Sequence, residues 1–143
     1  MICKKKGFTF EACHFLRGVE KCRQLHGHTY QLNVSVAGTK KANDMVVDFR
    51  EISQAVKKIV EEWDHKLLVD KKDVTVETDD LLKIEGDNIS ITILKSNVVV
   101  FDGKPTCEVM CETILRRLKK EMPGLFWLIE LSEGLDNWVA HHG

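Results

Sequence analysis

The chain has 143 residues, 43% of them hydrophobic and 30% charged, with 21 basic against 22 acidic side chains. That size and apolar share suffice for one self-supporting domain without a disulfide staple or an obligatory metal. No apolar run reaches the roughly 18 residues of a membrane span, no hydrophobic leader segment opens the chain, and the balanced charge leaves no surplus of Lys and Arg for a phosphate backbone; membrane and nucleic-acid partners are excluded, and a cytoplasmic protein acting on a small molecule is expected.

In chain order, residues 8–14 alternate, with Phe8, Phe10, Ala12 and His14 on one face, and residues 28–36 do the same with Tyr30, Leu32, Val34 and Val36. Both segments read as half-buried strands. From Asp48 the period becomes helical, with Phe49, Ile52, Val56, Ile59, Val60 and Trp63 in one stripe. Asp48 and Glu51 form a capping-box pattern, and the helix is expected to run to about Glu62. Residues 70–87 are polar and acidic, after which ISITIL and NVVVF flank Lys95-Ser96-Asn97 and predict an inserted hairpin at about 88–103. Thr106 can cap a second helix with the stripe Cys107, Met110, Cys111, Ile114, Leu115 and Leu118, which Pro123-Gly124 stops. Two last strands, 125–132 and 136–140, surround Glu133-Gly134. The order predicts an α+β fold, one antiparallel sheet with helices on one face.

His26-Gly27-His28 is the most informative triplet. Residues two apart on a strand point to one face, and Gly between them permits close approach. His26 and His28 extend the core-facing row of Tyr30 to Val36, as His14 extends the row of Phe8 to Ala12. Three imidazoles on a buried face need a partner, and three neutral His ligands with an open fourth position suit catalytic zinc. No carboxylate is apparent to complete a facial triad, and no Met or Cys shares the strand parity, which favours zinc over iron or copper. Cys22 lies between Lys21 and Arg23, cations that favour its thiolate. Asp64-His65, just after the first helix, can tune an imidazole for proton transfer. The five cysteines are an odd number without CxxC spacing, so no disulfide framework is expected. Cys107 and Cys111 lie on the apolar stripe and are expected in the core; His141 and His142 read as a solvated tail.

In order, FEACHF, CRQLHGHTYQL, MVVDF, DH, PTCE and the late IEL resemble the signatures of the 6-pyruvoyl-tetrahydropterin synthase and 6-carboxytetrahydropterin synthase family. The resemblance spans most of the chain except residues 70–103. It implies the tunnelling fold: a four-stranded antiparallel sheet with two helices on one face, assembling through sheet edges into a homo-oligomer, a hexamer built from trimers, with active sites between subunits. It implies His14, His26 and His28 as zinc ligands, Cys22 as the catalytic thiol, and Asp64 and His65 as the pair that completes the proton relay. Glu130 resembles the carboxylate that anchors the pterin, assisted by Thr106 and Glu108. Three residues between Cys22 and the HGH resemble the carboxytetrahydropterin branch, on the route to queuosine and archaeosine; the pyruvoyl branch has a longer spacer, and a third branch carries Glu in place of this Cys.

The implied function is a zinc-dependent 6-carboxy-5,6,7,8-tetrahydropterin synthase acting on 7,8-dihydroneopterin triphosphate. The alternatives are a 6-pyruvoyl-tetrahydropterin synthase and a non-catalytic zinc-stabilised pterin-binding protein. Departures from the pattern are the long 70–103 segment, Trp63 before the Asp-His pair, and Leu131 after Glu130. Arg17, Lys21 and Arg23 are candidates for the triphosphate by proximity.

Overall fold

The computed structural model describes all 143 residues. Nine strands and two helices follow one another as β1 (Ile2–His14), β2 (His26–Ala37), α1 (Phe49–Trp63), β3 (Lys66–Asp70), β4 (Val74–Glu77), β5 (Leu81–Glu85), β6 (Ser90–Leu94), β7 (Val98–Phe101), α2 (Cys107–Glu121), β8 (Phe126–Glu133) and β9 (Asn137–His142). The main sheet has the order β7-β3-β1-β2-β8-β9. Its antiparallel part, β1-β2-β8-β9, is the expected four-stranded sheet, and β3 and β7 extend it in parallel beyond β1.

The alternating rows bury as the sequence predicts. Phe8, Phe10, Tyr30, Leu32, Val34, Val36, Trp127, Ile129 and Leu131 face α1 and α2 in the larger core. β1 begins earlier than its clean alternation suggests, because a register shift between Lys5 and Phe8 adds a residue at Gly7, whose φ of 85° suits glycine. The shift carries the half-buried Cys3 and Lys5 into the same inward row as Phe8. The Asp48 carboxylate accepts the Arg50 N–H (2.8 Å) and Glu51 reaches back to the Asp48 N–H (3.4 Å), completing the predicted capping box. Thr106 precedes α2, but its hydroxyl makes no capping hydrogen bond. α2 stops at Glu121, and Gly124 adopts φ 81° beyond it.

The long segment after β3 is organised differently from the expected hairpin at 88–103. β6 pairs with β5, not with β7, in a separate three-stranded sheet β4-β5-β6, so the inserted hairpin spans Leu81 to Leu94. β7 leaves through the turn Lys95–Asn97 and joins β3 in the main sheet. Composition explains the split. Val98-Val99-Val100-Phe101 is apolar throughout and suits a parallel strand, with Phe101 entering the larger core and Val98 packing against a second one. That second core joins Phe15, Leu67 and Val69 to Leu82 and Ile84 of β5. Trp63 is fully buried edge-on to Phe10 and Phe101, with centroids 5.9 and 5.1 Å apart, so β7 supplies part of its packing.

The insertion also grips the loop after β1. Arg17 donates to Asp73 Oδ1 (2.8 Å) and to the Glu85 carbonyl, and the Gly18 N–H donates to Asp87 Oδ2 (2.6 Å). Phe15 packs so closely on Gly86 that a Cβ there would lie 2.7 Å from its ring. The segment is therefore a brace for the stretch carrying Cys22.

Candidate functional site

His14 and His26 are register partners across β1 and β2, and His28 sits opposite Ala12, whose small side chain leaves it room. Between them, a Cβ on Gly27 would approach the Ala12 carbonyl to 3.3 Å, the close approach that the HGH spacing suggests. The ligand atoms of the three imidazoles lie within 4.8 Å of one another. Backbone carbonyls set the orientation of two of them: His14 Nδ1 donates to Pro105 O (2.9 Å) and His26 Nδ1 to Gln24 O (2.7 Å). Those donations place the ring protons on Nδ1 and turn the Nε2 lone pairs inward. His14 Nε2 and His26 Nε2 are then 3.0 Å apart, and the buried His28 Nε2 has no hydrogen-bond partner. Two lone pairs at contact distance beside an orphaned third repel one another unless a cation lies between them, so the donor set fits a divalent metal. Burial, with like-charge repulsion from His26 and His28 beside it, pushes the His14 pKa down to about 4, against the Pro105 carbonyl. Burial also lowers His28, while Glu133 pulls it up.

Asp64 and His65 are arranged in another way. Asp64 Oδ1 accepts the Glu11 N–H (2.8 Å) and Oδ2 holds His65 Nδ1 (2.8 Å). The Glu11 N–H, with help from His65, holds the Asp64 carboxyl below the usual carboxylate range. His65 has φ 58° and an exposed side chain, and it borders with His28 an open cleft of about 380 Å³. Cys22 lies half-buried in the turn Lys21–Arg23, its carbonyl accepting the Leu16 N–H (2.7 Å), and all five cysteines are free. Cys107 and Cys111 are buried among the core residues, and burial pushes both thiols up to about 12.

Thr106 and Glu108 stand at the start of α2, directly after the Pro105 carbonyl that orients His14. Glu130 pairs with Asn33 and Ala140 and lies on the face of β8 opposite Ile129 and Leu131; within one chain the structure does not bring it to the three histidines. Arg17 is engaged by Asp73, whereas Lys21 and Arg23 line an open cleft of about 510 Å³. His141 and His142 are strand residues of β9, paired with Ile129 and Leu128, rather than a tail.

One residue was missed from the sequence. Glu133 places Oε1 3.7 Å from His14 Nε2 and Oε2 3.9 Å from His28 Nε2, so a carboxylate does face the histidines. Its signal was parity, since 127, 129, 131 and 133 form one inward row of β8.

The sequence profile of the family described as 6-pyruvoyl tetrahydropterin synthase matches residues 2–143. The chain belongs to this family. A Haemophilus influenzae relative named 6-carboxy-5,6,7,8-tetrahydropterin synthase is 35% identical over 127 residues, covering 81% of each chain. Among solved structures, a catalytic-residue mutant of the Plasmodium vivax 6-pyruvoyltetrahydropterin synthase superposes with a TM-score of 0.86 at 21% identity, covering 100% of this chain and 97% of that one. The Plasmodium falciparum enzyme gives 0.84 at 22% identity, with the same coverage. The tunnelling fold of the family is thus the fold of this chain, and the family is one of tetrahydropterin-synthesising enzymes. No helix is long and apolar enough to cross a membrane.

Proposed function

We propose that this chain is a zinc-dependent 6-carboxy-5,6,7,8-tetrahydropterin synthase, a lyase converting 7,8-dihydroneopterin triphosphate and one water to 6-carboxy-5,6,7,8-tetrahydropterin, triphosphate and acetaldehyde, as a step towards deazapurine nucleosides such as queuosine. The observation that carries the reading is the convergence of His14, His26 and His28, with Nε2 of His14 and His26 3.0 Å apart and His28 Nε2 without a partner, at the end of a strand pair whose connection carries Cys22. Relatives named for the carboxypterin reaction, and the three residues separating Cys22 from His26, support this branch.

His14, His26 and His28 would hold the ion. Bound there, zinc would supply Lewis-acid polarisation of the substrate's side-chain oxygens, which acidifies the neighbouring C–H. Cys22 removes or relays that proton, and His65, held by Asp64, exchanges protons with the side chain. Glu130 accepts from the donors at the pterin edge, and Thr106 and Glu108 at the start of α2 assist it.

Glu130 lies on the other face of β8 from the histidine row, which supports a pocket completed by a second copy. Both ends of the main sheet support assembly too: β7 exposes Val100, and β9 exposes Trp138 beside Leu135 of the preceding turn. Unpaired strand edges are seldom left open in soluble proteins. We read the working form as a homo-oligomer, a hexamer of two trimers, in the cytoplasm.

The second reading, a 6-pyruvoyl-tetrahydropterin synthase, is favoured by the two Plasmodium structures, which match along the whole chain. A pterin-binding protein without turnover would need neither Cys22 nor the Asp64-His65 pair. Incubation with dihydroneopterin triphosphate followed by product mass analysis decides among them. A carboxypterin with acetaldehyde is the expected result; a pyruvoylpterin gives the second reading, and unchanged substrate at full metal loading gives the third.

A further inference from the structure

His14 ends β1 and His26 begins β2, so residues 15–25 form the loop that joins two of the three histidines, and Cys22 stands in it. The loop folds back on Leu16: the Leu16 N–H donates to Cys22 O (2.7 Å), the Val19 N–H to Leu16 O (3.1 Å) and the Arg23 N–H to Val19 O (2.9 Å). These bonds are internal, and they fix the shape of the loop without fixing its place. Its place comes from the segment between β3 and β7. Phe15 shares the second core with Leu82 and Ile84 of β5, Arg17 donates to Asp73 and to the Glu85 carbonyl, and the Gly18 N–H donates to Asp87.

One of these ties is built as an enclosed ion pair. The Asp73 side chain is 5% exposed, and its Oδ1 takes the Arg17 Nε–H at 2.8 Å. A carboxylate buried this far is costly without its cation, so the fold holds Arg17 to it. Asp73 is itself firmly placed, because it ends the turn Lys71–Asp73 directly after β3, and that turn is capped by Asp70 Oδ1 accepting the Lys72 N–H (3.0 Å). A guanidinium committed to a buried aspartate on one side and to a backbone carbonyl on the other is not free to follow a phosphate.

We propose that Arg17 and Asp73 are positioning residues for the Cys22 thiol: the pair ties the loop to the end of β3, so that the thiol keeps one place beside the three histidines, and Arg17 serves this end rather than binding the substrate's triphosphate. The inference rests on the reading of Cys22 as a proton-transfer group and adds the support that such a group requires. A displacement of about 1 Å caused far from the chemistry can cost on the order of 10²-fold in rate. Asp87, exposed on the turn after β5, is a second tie to the same loop.

The test uses the full-length, zinc-loaded protein, with steady-state rates on dihydroneopterin triphosphate and amide hydrogen exchange read by mass spectrometry. Arg17→Ala and Asp73→Ala should each lower kcat on the order of 10- to 100-fold with KM and zinc content near the parental values, and the double variant should be no slower than either, because the two residues act as one. Amides 16–24 should exchange on the order of tenfold faster, or more, in these variants, while those of α1 keep the parental rate. Asp73→Asn keeps an oxygen for the Arg17 N–H and should restore most of kcat, a rescue that a general loss of packing would not show. Asp87→Ala releases Gly18 from an exposed position and carries the test if the alanine variants of the buried pair do not fold; it should speed exchange in the same segment and lower kcat by a smaller factor.

Parental kcat or parental exchange of amides 16–24 in the folded variants overturns the inference. So does an Arg17→Ala variant whose sole change is a raised KM, which would return Arg17 to the triphosphate. A zinc-loaded parent that leaves the substrate unchanged overturns the reading of the reaction and the catalytic half of this inference with it, while the exchange rates still decide whether the pair places the loop.

Discussion

Two of the three imidazoles at the β1–β2 end, His14 and His26, are oriented by backbone carbonyls that leave their Nε2 atoms facing each other, whereas Asp64 and His65, tied to β1 at Glu11, satisfy each other and stand in solvent. Both groups use histidine, and their surroundings give it opposite tasks. In the first, burial and converging lone pairs suit a cation; in the second, a carboxylate fixed by a backbone N–H holds an exposed ring, the one the proposed relay would use. His65 also holds φ 58°, which costs a residue with a Cβ about 1–2 kcal/mol, and its own N–H bonded to Glu11 O at 2.6 Å maintains it. The three converging donors therefore lie within one chain, whereas the exposed Asp64-His65 pair is the half that the proposed second copy would draw into a pocket.

The largest effects should come from separating these halves. Cys22→Ala and His65→Ala should each lower kcat on the order of 10²-fold or more while leaving metal content unchanged, because proton-transfer groups act mainly in the transition state. If a neighbouring copy supplies Asp64 and His65, the two inactive proteins refolded as a mixture should regain part of the parental rate. A mixture that stays inactive while subunits demonstrably exchange would put both halves in one chain.

A smaller effect sharpens the contrast in burial. In the metal-free protein His14 titrates at about 4, against 6.5 when unperturbed. Between those values the unfolded chain binds more protons than the folded one, so stability should be intact above about pH 6.5 and fall as pH drops towards 4. The loss is on the order of 3 kcal/mol and should be seen in urea melts as a function of pH. A His14→Gln variant should flatten that dependence. Metal should suppress the loss over the upper part of the window, because it binds the neutral ring.

The smallest effect concerns the support of the exposed pair. Asp64→Ala removes the acceptor of the Glu11 N–H and should cost about 1 kcal/mol, whereas Asp64→Asn keeps an oxygen there and should stay within about 0.5 kcal/mol. Activity should fall in both, since neither retains the charge beside His65. Thermal melts set against rates separate the structural role of this carboxylate from its chemical one; an Asn variant with parental turnover would remove Asp64 from the relay.

Much of this contrast was legible in the sequence because it rests on parity. A period of two placed His14, His26 and His28 in the rows of Phe10 and Tyr30, and the capping box at Asp48 located α1. Glu133 is the less evident of the two carboxylates because Glu130, on the other face of β8, matches the family pattern, although the inward row of Trp127, Ile129 and Leu131 leads directly to Glu133. The segment after β3 was legible only in part. Val74 and Val76, then Leu82 and Ile84, alternate as strands do, but the acidic residues around them outnumber the signal. Strand pairing depends on which surface each run can cover, a tertiary fact: Val98–Phe101 fits between two cores, and β6, with only one face half-buried, does not. The backbone carbonyls of Pro105 and Gln24, which orient the imidazoles, leave no mark in side-chain pattern at all.

Everything proposed for the pocket depends on His14, His26 and His28 holding a metal ion within one chain. Elemental analysis of protein prepared without added metal, alongside the double variant His26→Ala, His28→Ala, tests it most directly. The parent should hold about one zinc per chain and a folded double variant near none. Negligible metal in the parent that added zinc does not restore, or full zinc in the double variant, would contradict it.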